Sequence, residues 1–135
     1  MNTDKKIDIL CSNTGNTTIG NLIHTADKMF LRAYTRSLKD LDLTLTQALI
    51  LLHIYNYKQK LIYQKDLEEI LNLTNPTVTN IIKNMIKKDL LYKVQSEEDG
   101  RYFHLHLTPR SVNLLNKIPD CMFSVNNSYL SKLSA

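Results

Sequence analysis

Residues 72–107 constrain the fold of this chain more than any other stretch. A turn at Asn72 leads to Pro76, which suits the first turn of a helix because its missing N–H group needs no partner there. A helical run follows, and two short apolar segments then flank the polar loop 96–100. The loop contains Asp99-Gly100, a common signal for a hairpin turn. The stretch is therefore predicted to form a turn, a helix, a strand, a tight loop and a second strand.

The predicted helix has two different faces. At about 100° per residue, its apolar residues cluster on one side, namely Val78, Ile81, Ile82, Met85 and Ile86. The other side carries polar and basic residues together with a proline, namely Pro76, Thr79, Asn80, Lys83, Asn84 and Lys87. Lysine can contact phosphate, and asparagine and threonine can read base edges in a major groove. A basic amphipathic helix taken alone is more often an ordinary solvated surface, so both interpretations stay open at this point.

Helices are also predicted on the N-terminal side of this stretch. Thr17 or Thr18 suits the cap of a long helix whose apolar stripe comprises Ile19, Leu22, Ile23, Ala26, Met29, Phe30, Ala33, Leu38 and Leu41. Either the body of the domain or a second copy of the chain could cover this stripe. A helix capped by Thr44 or Thr46 is apolar on most faces and should lie at the centre. Residues 61–62 could add a short strand, and residues 63–71 form a short helix that completes a helix-turn-helix arrangement.

The C-terminal side begins with the second strand of the hairpin. Apolar and polar residues alternate there, which puts Phe103, Leu105 and Leu107 on one side and Tyr102, His104 and His106 on the other. The histidines are expected at the surface. Thr108-Pro109 then starts a helix that carries Val112, Leu115 and Ile118 and that Pro119 should end or bend. A last amphipathic segment has its apolar residues in helical register, namely Met122, Val125, Tyr129, Leu130 and Leu133.

Length and composition indicate one globular domain. The chain has 135 residues, of which 43% are hydrophobic and 22% charged, and its formal charge of +4 permits an anionic partner without requiring one. No apolar run reaches the length of a membrane span, and the N-terminus lacks the features of a signal peptide. A cytoplasmic protein without a membrane partner is expected. Cys11 and Cys121 lie far apart in the sequence and are expected to be free thiols.

Catalytic and metal-binding functions find little support in the sequence. It contains no glycine-rich phosphate loop, no nucleophile and base at a recognisable spacing, and no paired carboxylates in an evident cleft. His104 and His106 share a strand face but lack a third ligand nearby, so no metal and no cofactor are predicted. A winged helix that binds another protein instead of DNA is the alternative function. A protein-binding winged helix would not need a basic recognition face, so the presence of Lys83, Lys87 and Lys88 argues against this alternative.

From about residue 19 to residue 118, the chain resembles the multiple-antibiotic-resistance regulator (MarR) family of bacterial transcription factors. The resemblance is carried by Leu43-Thr44 with Gln47, by Leu67, by residues 73–79, by Asp99-x-Arg101 in the hairpin and by Leu107-Thr108. It implies a mostly helical fold with a small β-hairpin wing, in which N- and C-terminal helices form a homodimer and each recognition helix enters a major groove of a palindromic operator. It also implies a repressor that is released by a small ligand, a metal or an oxidant, and a small effector is predicted for this chain.

This interpretation predicts that the chain has four parts. Residues 1–16 are a flexible arm, residues 17–42 a dimerisation helix, residues 43–107 the winged helix-turn-helix that binds double-stranded DNA, and residues 108–135 C-terminal dimerisation helices. Two positions depart from the family pattern. Gly100 stands in the wing where a basic residue is frequent, and Asp89 follows the recognition helix where glycine is usual.

The predicted DNA contacts lie on the recognition helix and the wing. Lys83 and Lys87 are assigned to phosphates, and Asn75 and Pro76 lie near the DNA backbone. Base reading is assigned to Thr77, Thr79 and Asn80. Arg101 either enters the minor groove or braces the wing through Asp99, and the sequence does not choose between these roles. By analogy with the family, an effector would bind between the first, second and fifth helices, where the candidate residues are His24, Tyr34 and His53.

Overall fold

The computed structural model describes residues 19–57 and 60–133, so the predicted arm 1–16 and the predicted cap at Thr17 or Thr18 lie outside the described residues. The elements are α1 (Ile19–Leu38), a short 3₁₀ helix (Lys39–Leu41), α2 (Leu45–Asn56), α3 (Gln64–Leu71), α4 (Asn75–Lys87), β1 (Leu91–Gln95), β2 (Phe103–Leu107), α5 (Pro109–Leu115) and α6 (Ile118–Leu133). The predicted fold class, mostly helical with a small hairpin wing, is confirmed. The four domain boundaries stay predictions.

Side chains next to the helix starts explain why several helices begin where they do. Thr44 caps α2 with a reciprocal pair of bonds, in which its hydroxyl accepts from the backbone N–H of Gln47 and the Gln47 side chain accepts from the backbone N–H of Thr44. Thr108 accepts from the backbone N–H of Ser111 at the start of α5. At α3 the carboxylate of Asp66 accepts from the backbone N–H of Tyr63. These bonds satisfy donors that have no partner inside the helix.

The core forms around α2, as its apolar sequence predicts. Ala48, Ile50 and Leu51 of α2 are fully buried, and so are the residues of α4 that form its inner face, Val78, Ile82 and Met85. The prediction that Ile86 points inward is wrong, because its side chain is 37% exposed. Ile86 lies about 80° around the helix from Val78, at the edge of the apolar stripe. Helical periodicity alone does not define how wide the buried stripe is at this edge.

The hairpin pairs β1 with β2 in antiparallel register, from Leu91 opposite Leu107 to Gln95 opposite Phe103. The expected strand at residues 61–62 is reduced to a short contact, in which the Ile62 carbonyl accepts from the Leu105 N–H and Tyr63 forms a bridge with His104. The expectation that His104 lies at the surface is wrong. His104 is only 9% exposed because the ring of Tyr63 packs edge-on against it, whereas Phe103, nearer the hairpin tip, is 45% exposed.

His104 and His106 contact each other through one hydrogen bond. Their ring nitrogens Nδ1 and Nε2 are 2.9 Å apart, and the ring of His106 stacks against Tyr92. One ring must offer an unprotonated nitrogen for this bond to form. Burial, and repulsion from a charged His104, lower the pKa of His106 below its ordinary value of 6.5. The folded state therefore favours the neutral form of His106.

The C-terminal helices differ from expectation in two details. The helix after Thr108 ends at Leu115, and Pro119 lies in the first turn of α6, where a proline is tolerated, so it does not end the preceding helix. Leu115 and Ile118 are buried as predicted, but Val112 is 45% exposed because α5 turns that side away from the core. Within the last amphipathic segment, Val125 is buried and Leu130 is exposed.

The N-terminal part of the apolar stripe of α1 is not covered by the body of the domain. α1 packs against α6 and α2, yet Leu38 is its one buried residue among those described. Ile19, Leu22 and Ile23 are each more than half exposed. The part of the chain that the structure describes contains no helix long and apolar enough to cross a membrane.

Truncating Ile82 and Ile86 separately should distinguish the two sides of α4. We expect Ile82→Ala to lower the free energy of unfolding by about 2–5 kcal/mol, because it leaves a cavity in the core. Ile86→Ala should cost about 1 kcal/mol or less, because its site is partly solvated. Chemical denaturation of the two variants measures both values. Equal losses would contradict the orientation of α4.

The depressed pKa of His106 makes the stability of the fold depend on pH. Because the unfolded chain binds a proton at His106 near pH 6.5 and the folded chain only at lower pH, stability should fall as the pH drops from 6.5 toward the folded pKa. His106→Gln should reduce this fall in denaturant titrations between pH 7.5 and pH 5. A pH dependence identical in the wild type and His106→Gln would refute this account of His106.

Candidate nucleic-acid interface

The outer face of α4 presents polar and basic side chains to solvent. Asn80, Lys83, Asn84 and Lys87 are all exposed, opposite the fully buried Val78, Ile82 and Met85. Pro76 and Thr77, at the start of the helix, are also exposed. The structure therefore brings most of the predicted contacts on α4 together on one accessible surface.

The turn before α4 arranges the first residues of this surface. Asn72 adopts the left-handed conformation with φ of 51°, which asparagine tolerates better than most residues, and the chain reverses there between α3 and α4. Thr74 is the cap residue of α4, and its hydroxyl lies 2.9 Å from the hydroxyl of Thr77. Thr77, a predicted base reader, therefore already has one intramolecular partner.

Two other predicted contacts, Asn75 and Thr79, have partners on α3. The amide nitrogen Nδ2 of Asn75 donates to Oε1 of Glu68 at 2.6 Å. The hydroxyl of Thr79 accepts from Nε2 of Gln64 at 2.7 Å, and Thr79 is half-buried. Gln64 and Glu68 were not among the predicted site residues. Their spacing of four residues places them on one side of α3, but no local pattern shows that this side faces α4.

Arg101 in the wing is paired with Asp99. The guanidinium donates from Nη2 to Oδ2 of Asp99 at 2.8 Å and from Nε to Oδ1 at 3.1 Å, a two-pronged contact. This pairing lowers the pKa of the Asp99 carboxyl and raises the pKa of Arg101. Gly100 is held as well, since its carbonyl accepts from the Gln95 side chain at 2.6 Å. Pairing with Asp99 is thus the contact that the structure shows, while the Arg101 side chain stays 85% exposed.

A cleft between α3 and the wing adds basic residues that the sequence argument did not assign. Its volume is about 400 Å³, and its lining includes Lys65, Lys93 and Arg101. Lys93 lies on β1 and Lys65 on α3, so both are outside the recognition helix. Their joint position becomes apparent only when the hairpin folds back toward α3.

Lys88 contacts Asp42 instead of joining the polar outer face of α4, although the sequence counts it among the basic residues of the recognition face. Its ammonium group lies 3.3 Å from the carboxylate of Asp42 and donates to the Asp42 carbonyl at 2.8 Å. The chain then turns through Asp89, with φ of 56°, the position where the family pattern has glycine. Lys88 therefore joins the end of α4 to the segment between α1 and α2.

Within the described residues, Tyr34 and His53 of the three predicted effector residues contact different partners. Tyr34 on α1 donates to Oδ1 of Asn126 on α6. His53 on α2 packs against the ring of Tyr57, with ring centroids 4.4 Å apart. His24 precedes Tyr34 by ten residues on α1, which places it about 15 Å along the helix axis. A shared effector site for these residues stays a prediction.

Comparison with known proteins places the chain among transcriptional regulators. A model of the SarA/Rot family of transcriptional regulators matches residues 32–118. The HTH-type transcriptional regulator SarZ of Staphylococcus aureus strain MRSA252 is 30% identical to this chain over 108 residues, which are 80% of this chain and 72% of SarZ.

Solved structures show the same fold. The structure of the S. aureus MepR–DNA complex aligns with a TM-score of 0.79 at 23% identity and covers 87% of this chain and 85% of MepR. The transcription regulator MarR from Oenococcus oeni PSU-1 aligns with a TM-score of 0.74 at 29% identity and covers 83% of this chain and 84% of that protein.

These matches confirm the resemblance to MarR-type regulators and the prediction of a DNA-binding transcriptional regulator. The matched family and the matched relative are regulators rather than enzymes. The chain therefore belongs to the SarA/Rot family of transcriptional regulators and has the MarR-like winged-helix fold.

Proposed function

We propose that this protein is a cytoplasmic repressor that binds a palindromic DNA site as a homodimer. The observation that carries the proposal is the two-sided character of α4. Its inner face is fully buried, and its outer face presents amide and ammonium groups on an accessible helix of about the width that a major groove admits.

The contacts on α4 divide by chemistry. Lys83 and Lys87 bind phosphates, because an ammonium group supplies charge without reading sequence. Asn80 reads a base, since an exposed amide can both donate to and accept from base edges. Thr77 and Thr79 contribute through hydroxyls that already have intramolecular partners, which limits the directions in which they bond to DNA.

The wing and α3 contact the DNA backbone beside the major groove. Lys65 and Lys93 line the cleft between these elements, together with Arg101. A phosphate beside this cleft would meet these cationic groups provided that it lies away from Glu68, the acid that also lines the cleft. Arg101 reaches the minor groove only if it gives up or shares its pairing with Asp99, so its proposed contribution is first to hold the wing in position.

A second copy of the chain covers the apolar stripe of α1. In a single copy of the chain, the apolar side chains of Ile19, Leu22 and Ile23 on α1 are exposed to solvent. On α6, Phe123 and Leu130 are 65% and 61% exposed. Exposed apolar residues in such number mark an interface. A two-fold axis through that interface presents two α4 helices in opposite directions, and a palindromic site follows from this symmetry.

Regulation by a small effector is also part of the proposal. Its support is the family resemblance rather than a shared cavity, because His24, Tyr34 and His53 lie apart within one chain. An effector that changes the relation between the dimer helices and α4 would release the DNA, since both recognition helices must fit the groove together.

Selection of bound sequences from random duplex DNA tests the proposed function. We expect the wild-type chain to enrich a palindrome, and Asn80→Ala to select a less defined sequence at one symmetric pair of positions. Bound fragments without two-fold symmetry, or no enrichment at all, would contradict the proposal and would favour a winged helix that binds another protein.

The salt dependence of DNA affinity tests the phosphate contacts. For Lys83→Ala we expect weaker binding to every duplex and a slope of log affinity against log salt that is smaller by about one for each bound protomer. Lys117→Ala removes an exposed lysine from the turn between α5 and α6 and is the matched control, with an unchanged slope expected. If Lys83→Ala also leaves the slope unchanged in titrations at several salt concentrations, Lys83 does not contact phosphate.

A further inference from the structure

Four polar side chains join the first helix of the helix-turn-helix to the start of the recognition helix. Oε1 of Glu68 accepts from Nδ2 of Asn75 at 2.6 Å and from Nε2 of Gln64 at 3.1 Å. Gln64 donates in addition to the hydroxyl of Thr79 at 2.7 Å. Glu68 is thus the shared acceptor of the cluster, and it lies on α3 rather than on the helix that enters the groove.

The chemistry of Glu68 determines how Asn75 is turned. An ionised carboxylate can only accept hydrogen bonds, whereas an asparagine side chain has a donating NH₂ group at one end and an accepting oxygen at the other. A reversed amide would place two acceptors 2.6 Å apart, so the NH₂ group of Asn75 must face Glu68. Because Asn75 is exposed and Glu68 accepts from its NH₂ group, Oδ1 is the side-chain oxygen left to accept a hydrogen bond from outside the cluster.

Gln64 holds this arrangement to the body of α4. Its NH₂ group has two hydrogens, and both have acceptors, one on Glu68 and one on Thr79. Glu68, Gln64 and Thr79 are each half-buried, so these side chains pack between the two helices while Asn75 stays accessible. The orientation of Asn75 is therefore set before DNA arrives, which limits the cost of ordering it on binding.

We propose that Glu68 is a positioning residue for DNA recognition, because it holds Asn75 so that Oδ1 accepts a hydrogen bond from a base in the major groove. The base groups that can donate there are the exocyclic amino groups, N6 of adenine and N4 of cytosine. This inference rests on the proposed DNA-binding function. It gives Asn75 a base-reading role in place of the backbone position predicted from the sequence.

A phosphate fits this cluster less well than a base does. Phosphate oxygens are acceptors, and Oδ1 of Asn75 is an acceptor too, so the two cannot form a hydrogen bond. The negative charge of Glu68 directly behind Asn75 would also repel a phosphate. A base amino group meets neither obstacle, since it donates and carries no net charge.

Selection from random duplex DNA with full-length variants tests this role. Glu68→Gln replaces the carboxylate by an amide that can donate as well as accept, so Asn75 can turn either way. We expect the preference for adenine or cytosine at one symmetric pair of positions to fall by about fivefold or more, with the other positions unchanged. Asn75→Ala should flatten the same positions, and the double variant should go no further than Asn75→Ala alone.

Glu69→Gln is the matched control. It makes the same charge change at the next residue of α3, which is exposed and lies outside the cluster, and it should keep the wild-type profile. Thermal unfolding of each variant verifies the fold. An unchanged profile for Glu68→Gln, or an equal loss of preference at every position, would overturn the role of Glu68. If the wild type selects no palindrome, the proposed DNA-binding function is wrong. If the wild type selects a palindrome and Glu68→Gln selects the same one, only the role of Glu68 is wrong.

Discussion

The segment that ends the recognition helix is held by hydrogen bonds from the start of α5, and the position of the polar outer face of α4 depends on them. The carbonyls of Lys88, Asp89 and Leu90 accept in turn from Arg110, from Thr108 at 2.6 Å and from Ser111. The Lys88 carbonyl at the end of α4 and the Asp89 carbonyl after it gain partners in this way, and the Leu90 carbonyl also accepts from the backbone N–H of Thr108. These bonds also tie α4 to the helix that leads into α6.

The other end of α4 is held by α3. There the contacts of Asn75 with Glu68 and of Thr79 with Gln64 are made by the same side of α3. The polar face of α4 thus lies between two sets of polar contacts, above a fully buried apolar face. Residues on such a supported element can be positioned to within the small tolerance that base reading requires.

Local patterns in the sequence were enough to predict much of this arrangement. The periodicity of residues 78–85 predicts the inner face of α4, and the caps at Thr44 and Thr108 lie where Ser/Thr chemistry favours them. Several of the features that were missed depend on contacts distant in sequence. His104 is buried because Tyr63 packs against it, and Lys88 leaves the basic face because Asp42 lies beside it. No periodicity within one element contains that information.

The most direct test of dimeric DNA binding is the hydroxyl-radical footprint of the wild-type protein on a duplex that it has selected. A two-fold dimer with one recognition helix per half-site should protect two equivalent regions, whose centres are about 10 base pairs or a multiple of that apart. Both regions should lie on one face of the duplex. A single protected region without symmetry would contradict the claim that two copies of α4 read the DNA together.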